Sequence, residues 1–303
     1  MNPLYVYWAE KKANFGDTVA PELMGYLTGR EVRWADKWRC SLLGIGSVLG
    51  WALLKPGRKG LAGAADVMRM KIRRAVTPRV SVLGSGFLMD PLKTPCPPSV
   101  RRTPRVFAVR GRLTLDALVR MGLVREGDAV ELGDPGLFLG DLWPDIAAGR
   151  GRGCERACIP HESEWGTPAV ESLRRGNPEL RFIDVRRPPR EVFGEIAKCG
   201  EVFSSSLHGL VAADALGIPS RWVELSVPGR TPEQNRFKFD DYYSAFCERR
   251  EPCRWADVPS SDVGPQIPAG ALAVRKAAFR SAVERFRAQL RHARASPESQ
   301  VGD

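Results

Sequence analysis

Apolar residues along this chain come in short unbroken runs rather than in strict alternation. Leu4–Trp8, Leu42–Ile45, Val80–Leu83 and Arg105–Val109 each read as a buried strand. Between them lie a turn at Asn14–Asp17, a short helix over Pro21–Leu27 and a helix over Leu113–Met121. The glycine turns Gly44-Ile45-Gly46-Ser47 and Gly84-Ser85-Gly86 close two of the strands and let backbone approach a ligand. The same grammar then restarts. Strands are predicted at Ala157–Pro160, Leu180–Val185, Glu201–Ser204 and Arg221–Leu225. Helices are predicted at Ala169–Arg175, Pro189–Lys198 and Leu207–Leu216. Continuous apolar strands separated by helices predict parallel sheets in an α/β fold.

Two half-chains with one grammar predict two Rossmann-like domains facing each other across a cleft. The first spans 1–146 and the second 157–262. The Gly- and Arg-rich stretch 147–156 reads as the linker. A last helix over 269–294 carries Leu272, Phe279, Val283, Phe286 and Leu290 on one face. Arg275, Lys276, Arg280, Arg285, Arg287, Arg291 and Arg294 mark the other. Two readings stand: a helix packed on the body with a solvated basic face, which is favoured, or one resting on anionic lipid. The tail 297–303 reads as disordered.

Charge and cysteine usage narrow the picture. The 303 residues carry a formal net charge of +11, which favours an anionic partner. The arginines are scattered, and no nucleic-acid motif stands among them. Seven cysteines at irregular spacing include no CxxC pair, so no zinc site is predicted. Free thiols fit a reducing compartment. The N-terminus MNPLYVYWAEKK lacks the basic start and apolar stretch of a signal peptide, and no run reaches a membrane span of ~20 apolar residues. A cytoplasmic protein is expected, with peripheral contact at the inner membrane face as a further reading.

The candidate chemistry gathers where strands hand over to helices. Ser204-Ser205-Ser206-Leu207-His208-Gly209 ends a strand and opens a helix, whose N–H groups and dipole suit an anion such as phosphate. A serine cap with a histidine satisfied in an interface is the structural alternative. Arg110-Gly111-Arg112 offers guanidinium groups at another strand end. Asn14, Gly16 and Asp17 follow the first strand, and His161 ends the first strand of the second half. Lys238 reads as the N-terminal end of a helix, a position unfavourable for a cation unless it serves an anion.

Eight segments keep a common order: NFGDTVAPEL (14–23), LGIGSVL (43–49), VLGSGF (82–87), AVRGRLT (108–114), GDPGLFL (133–139), IPHESEW (159–165), SSSLHGLVAADALGIPS (204–220) and KFDDYYSAF (238–246). Together they resemble the polysaccharide pyruvyltransferase family, closest to the branch acting on exopolysaccharide repeat units. The resemblance implies a fold similar to GT-B glycosyltransferases. It implies transfer of a pyruvyl group from phosphoenolpyruvate to two hydroxyls of one sugar, giving a cyclic ketal and phosphate. Phosphoenolpyruvate is then a co-substrate, and no metal or other cofactor is implied. The acceptor is expected in a polysaccharide or lipid-linked oligosaccharide.

On that resemblance His208 is the expected acid/base, with a pKa near neutrality, and His161 its backup. Ser204, Ser205, Ser206, Arg110, Arg112 and Lys238 are expected to hold the donor, and Asn14, Gly16 and Asp17 to orient the acceptor. The chain departs from the family in one place. Many members have arginine two residues before the motif histidine, and here that residue is Ser206. Arg110, Arg112, Arg236 and Lys238 are the candidates to replace it. A nucleotide-sugar glycosyltransferase is the alternative reading, with Glu224 as the carboxylate for a ribose. A non-catalytic polyanion-binding protein is the other.

Overall fold

The structure is a computed structural model. It describes residues 2–10, 13–57, 79–96, 98–151, 155–225, 232–255 and 266–295, with isolated positions between 59 and 72. The predicted tail, Cys154 and the end of the second domain range lie outside the described residues. Two parallel sheets dominate. The first contains β1 (Leu4–Tyr7), β2 (Val32–Trp34), β3 (Leu42–Leu43), β5 (Val80–Leu83), β7 (Pro104–Val109) and β8 (Glu131–Leu132), in the order β2-β1-β3-β5-β7-β8. The second contains β9 (Glu155–Ile159), β10 (Arg181–Phe182), β11 (Cys199–Ser204), β12 (Ser220–Glu224) and β13 (Cys253–Arg254), in the order β10-β9-β11-β12-β13. A small antiparallel pair joins β4 (Leu54–Lys55) to β6 (Ser99–Val100).

The order of strands matters for the site. In the first sheet the direction of strand addition reverses between β1 and β3, and in the second between β9 and β11. Open α/β sheets bind ligands at the carboxyl edge beside such a reversal. Asn14 and Asp17 follow β1, Gly44–Ser47 follow β3, His161 follows β9 and Ser204–Ser206 end β11.

The helices differ from expectation in instructive places. Asn14–Asp17 is not a free turn: Asn14 is the extended cap of α1 (Phe15–Thr18), which runs on into α2 (Ala20–Thr28). The buried Phe15 donates its N–H to the carbonyl of Val185 at 2.7 Å, tying this corner to the second half. The predicted strand Leu180–Val185 shortens to β10, because beyond Phe182 the backbone turns to meet Phe15. A short α3 (Leu49–Leu53) buries Leu49, Ala52 and Leu53 behind the first sheet. Next come α4 (Arg112–Arg120), α5 (Leu139–Leu142) and α6 (Pro144–Ala148). β9 already begins at Glu155, opposite Cys199, so the described linker residues outside elements are only Gly149–Gly151.

In the second half lie α7 (Pro168–Gly176), α8 (Pro189–Ala197) and α9 (Leu207–Leu216). Almost every residue of α9 is buried, the pattern of a helix enclosed on all sides. One face meets the 3-10 turn Pro135–Phe138 of the first half, where a Cβ on Gly136 would stand 2.7 Å from Val211. Lys238 is not at a helix start. It sits in the middle of α10 (Pro232–Ser244), which packs against α4 of the first half.

The last helix, α11 (Ala269–Ala295), also returns to the first sheet. It lies over β7 and β8 with Phe286 against Phe107 at 5.5 Å and Phe279 against Phe138 at 5.6 Å. Part of its basic face is docked: Lys276 and Arg280 reach Asp141, and Arg285 reaches Glu131. One buried cluster joins Val6, Leu23 and Leu137 to Ile159, Val202 and Leu210, so the core is continuous between the sheets. No described helix is long and apolar enough to cross a membrane.

Candidate active site

The carboxyl edges of both sheets open into one cleft of about 790 Å3. That is within the range of roughly 300–1,000 Å3 usual for small-molecule sites. Asn14 and Asp17 line one wall; His161, Ser206, His208 and Lys238 line the other. Six of the eleven predicted site residues therefore meet in one place.

His208 is held by shape. A Cβ on Gly16 would stand 1.8 Å from its Nδ1, so only glycine leaves room for the imidazole against α1. Gly16 thus serves the histidine directly and does not itself line the cleft. On the other side, His208 Nε2 lies 3.9 Å from Oδ2 of the buried Asp134. Neither of these two atoms has a hydrogen-bond partner. Burial, with Arg110 and then Lys238 adding repulsion, pushes the histidine down to about 3. A histidine poised near neutrality was expected; the structure holds it as neutral imidazole, because desolvation and two cations disfavour its charged form. Burial pushes Asp134 up to about 6, against the pull of the Gly136 N–H and Arg110.

Asp17 is the group poised near neutrality. Burial pushes its carboxyl up to about 6, opposed by Lys238 and by the hydrogen bond from Asn14 Nδ2 at 3.2 Å. Sequence reasoning placed it among acceptor contacts without seeing this, since the shift comes from neighbours distant in sequence. Asp134 was missed as a partner of His208. The GDPGLFL segment containing it was visible, but only α9 packing on it brings the carboxylate near.

The three serines divide their roles. Ser204 is fully buried and braces the strand end, donating to the Ile159 and Ser206 carbonyls and accepting from the Ser206 N–H. Ser205 accepts from the His161 N–H at 3.0 Å and bonds the carboxylate of Glu164. Ser206 lines the cleft at the extended cap of α9, with no capping bond from its side chain. The first turn of a helix carries N–H groups without intrahelical partners, and this turn borders the cleft through Ser206, Leu207 and His208. His161 caps the short turn Glu162–Glu164, accepting from the Ser163 N–H through Nδ1.

The two arginines expected at the donor lie elsewhere. Arg110 is fully buried beneath the cleft, where Nε meets Asp241 at 3.0 Å, one Nη meets Ser47 Oγ at 2.6 Å, and the other meets the Phe87 carbonyl at 2.6 Å. It pins α10 to the first half and braces Ser47, which does line the cleft. Gly111 is needed there, since its Cβ would lie 1.6 Å from the Asp241 carbonyl oxygen. Arg112 points to solvent and pairs with Asp116 at 2.7 Å, away from the cleft. Arg236 is engaged by Asp240 and Glu251. Of the four candidates to replace the family arginine, the cleft contains Lys238. Glu224 ends β12 and does not line the cleft.

Fold and site together define an α/β protein that sets a helix start, a histidine and a lysine against a carboxylate-bearing wall. Residues 98–226 match the family model described as Polysaccharide pyruvyl transferase. It is 28% identical over 243 residues to the succinoglycan biosynthesis protein ExoV of Rhizobium meliloti (strain 1021), covering 78% of this chain and 62% of that protein. It is 27% identical over 173 residues to an uncharacterized protein of Acanthamoeba polyphaga mimivirus, covering 56% of each. The chain therefore spans about three fifths of the length of these curated relatives. A functionally uncharacterized protein of Klebsiella pneumoniae with a solved structure aligns over 83% of this chain and 92% of its own, at 16% identity and a TM-score of 0.37.

Proposed function

We propose that this protein transfers a pyruvyl group from phosphoenolpyruvate to two hydroxyls of one sugar in a polysaccharide or lipid-linked oligosaccharide. The product is a cyclic ketal, and phosphate is released. The observation that carries this reading is the composition of one cleft: an anion-suited helix start with His208 and Lys238 faces Asn14 and Asp17. The match of residues 98–226 to the polysaccharide pyruvyl transferase family model supports the same chemistry. In this reading the donor is a co-substrate, no further cofactor takes part, and the two halves act like those of GT-B enzymes. The reaction takes place in the cytoplasm, where a lipid-linked acceptor would bring the protein to the inner membrane face.

The residues divide the work. Lys238 and the first turn of α9 meet the phosphate and carboxylate of the donor. Asp17, protonated in part near pH 6, gives a proton to the methylene carbon, and the adjacent carbon becomes oxocarbenium-like. A sugar hydroxyl adds to that carbon and loses its proton to neutral His208. The resulting imidazolium faces Asp134 and the donor anion, charges that favour it once substrate has entered. The C–O bond to phosphate breaks, the second hydroxyl closes the ketal, and its proton leaves with phosphate. His161, on the same wall, contacts donor or acceptor.

Thermal shift with phosphoenolpyruvate against UDP- and GDP-sugars tests the reading, because a ligand that binds only the folded state raises its stability. Selective stabilisation by phosphoenolpyruvate, weakened in Lys238→Ala, is the expected result. Selective stabilisation by a nucleotide sugar would replace the proposal with a glycosyltransferase.

A further inference from the structure

The wall of the cleft opposite His208 holds an unusual concentration of tryptophan. The chain has 8 Trp, and four of them, Trp8, Trp34, Trp38 and Trp51, line this cleft. All four come from the first half: one follows β1, one ends β2, one sits in the loop to β3 and one lies in α3. None is within the segment 98–226 that the family model matches. Trp34 is 40% exposed and Trp51 47% exposed. Aromatic surface left open inside a concave site is a mark of ligand contact.

The wall is also stiff. Trp34 Nε1–H donates to the Trp8 carbonyl at 3.2 Å, locking one ring over the end of β1. The loop carrying Trp38 is held from beneath by the buried Arg102, whose guanidinium donates to the carbonyls of Lys37 at 2.9 Å and Cys40 at 3.0 Å. Arg101 lies over the Trp38 ring at 4.8 Å. Trp51 projects from α3, whose other face is anchored by Leu49, Ala52 and Leu53. Rings fixed before binding lose little freedom when a ligand arrives.

The two walls differ in charge, although each carries both signs, with Glu162 beside His161 on one and Lys37 among the tryptophans on the other. Lys238 and the α9 start mark the anion side. Among the tryptophans stand the carboxylates Glu10 and Asp36, beside Lys37. Electron-rich ring faces suit the polarised C–H face of a pyranose. Carboxylates accept from its hydroxyls and repel phosphate. We infer that this aromatic wall is a subsite for a neutral oligosaccharide of at least three units, binding sugars beyond the one that receives pyruvate. The inference rests on the assignment of the cleft to a sugar acceptor and specifies the length of that acceptor.

Calorimetry on the full chain with gluco-, galacto- and manno-oligosaccharides of one to six units, alongside phosphoenolpyruvate thermal shifts, provides the test. In at least one series, affinity should rise tenfold or more between one and three units. The Trp34→Ala/Trp51→Ala double variant should lose that gain at least tenfold, and Trp51→Phe should restore part of it. Both rings are exposed, so melting temperature and the phosphoenolpyruvate shift should stay at wild-type values. Absence of length dependence in all three series overturns the inference. So does length-dependent binding that the double variant retains, or loss of UDP- or GDP-sugar binding in that variant without loss of oligosaccharide binding. Length-dependent binding without any phosphoenolpyruvate shift would keep the subsite and reject the pyruvyl-transfer reading, so the two fail separately.

Discussion

The two walls of the cleft are built by the same rule and equipped differently. Each lies at a carboxyl sheet edge where the order of strands reverses. On the second-half wall the working groups sit at the start of a helix that is enclosed on nearly every side. Desolvation where that helix packs on the first half is strong enough to hold His208 neutral and to raise Asp134 of the first half to about 6. On the first-half wall the groups sit on short elements and loops, and the aromatic rings stay half open to solvent. Buried groups tune protonation, Asp17 of the first half among them, whereas the open aromatic rings offer area. This division suits the proposed reaction, in which a small anion is transformed while a larger neutral partner is held.

The sharpest way to break this comparison is at the contact between the walls. His208→Ala should lower turnover by roughly 10²–10⁴-fold, the range for a general acid or base, with the melting temperature little changed. Gly16→Ala should cost nearly as much from the opposite wall, because its Cβ would occupy the place of the ring. Steady-state kinetics beside thermal melts would check both, and normal turnover in Gly16→Ala would show that the imidazole position is irrelevant.

Next in size is the buried pair beneath the cleft. Arg110→Ala or Asp241→Ala leaves a charge uncompensated in the interior and should destabilise by about 3–5 kcal/mol. Arg112→Ala, two residues away but exposed, should cost less than about 1 kcal/mol. Denaturant unfolding of the three variants would measure the contrast.

Asp17→Asn should remove an ionisation near pH 6 from the pH–rate profile and lower turnover roughly 10²-fold. If the profile keeps its shape, the acid is another group.

A smaller effect concerns Asp214 on α9, where it accepts from Tyr242 Oη–H at 2.9 Å and burial pushes it up to about 7. Its folded pKa stands above its unfolded value. Its contribution is therefore fully present below about pH 4 and lost as pH rises through 7. Asp214→Asn keeps an acceptor for the tyrosine and should gain stability relative to wild type as pH rises from 4 to 8, read from melts across that range. The smallest change is expected on α11: Lys276→Ala should cost at most about 1 kcal/mol, since its bridge to Asp141 is partly solvated.

Much of the fold was legible because parallel strands buried on both faces announce themselves as apolar runs. Val80–Leu83 and Leu207–Leu216 match their predicted limits. The weaker signals were lost. β2 is three residues long and half exposed, so no apolar run marks it. Lys238 was placed at a helix start because no apolar periodicity precedes it, yet α10 begins at Pro232. Arg110 and Arg112 look alike in sequence. Only the approach of Asp241, which is 131 residues away, separates a buried brace from a surface ion pair.

By itself the sequence determined the α/β grammar, the strand ends where polar residues gather, and the ordered motifs that resemble the polysaccharide pyruvyltransferases. These are local properties, set by hydrophobic runs, glycine turns and residue order. The tertiary structure alone decided which polar groups face the cleft, which lie under it, and how each is charged. It moved the near-neutral ionisation from His208 to Asp17, gave the histidine a buried carboxylate neighbour, and collected four tryptophans from separate elements into one wall. The physical reason is that desolvation and Coulomb interaction depend on neighbours in space, and those neighbours come from both halves of the chain.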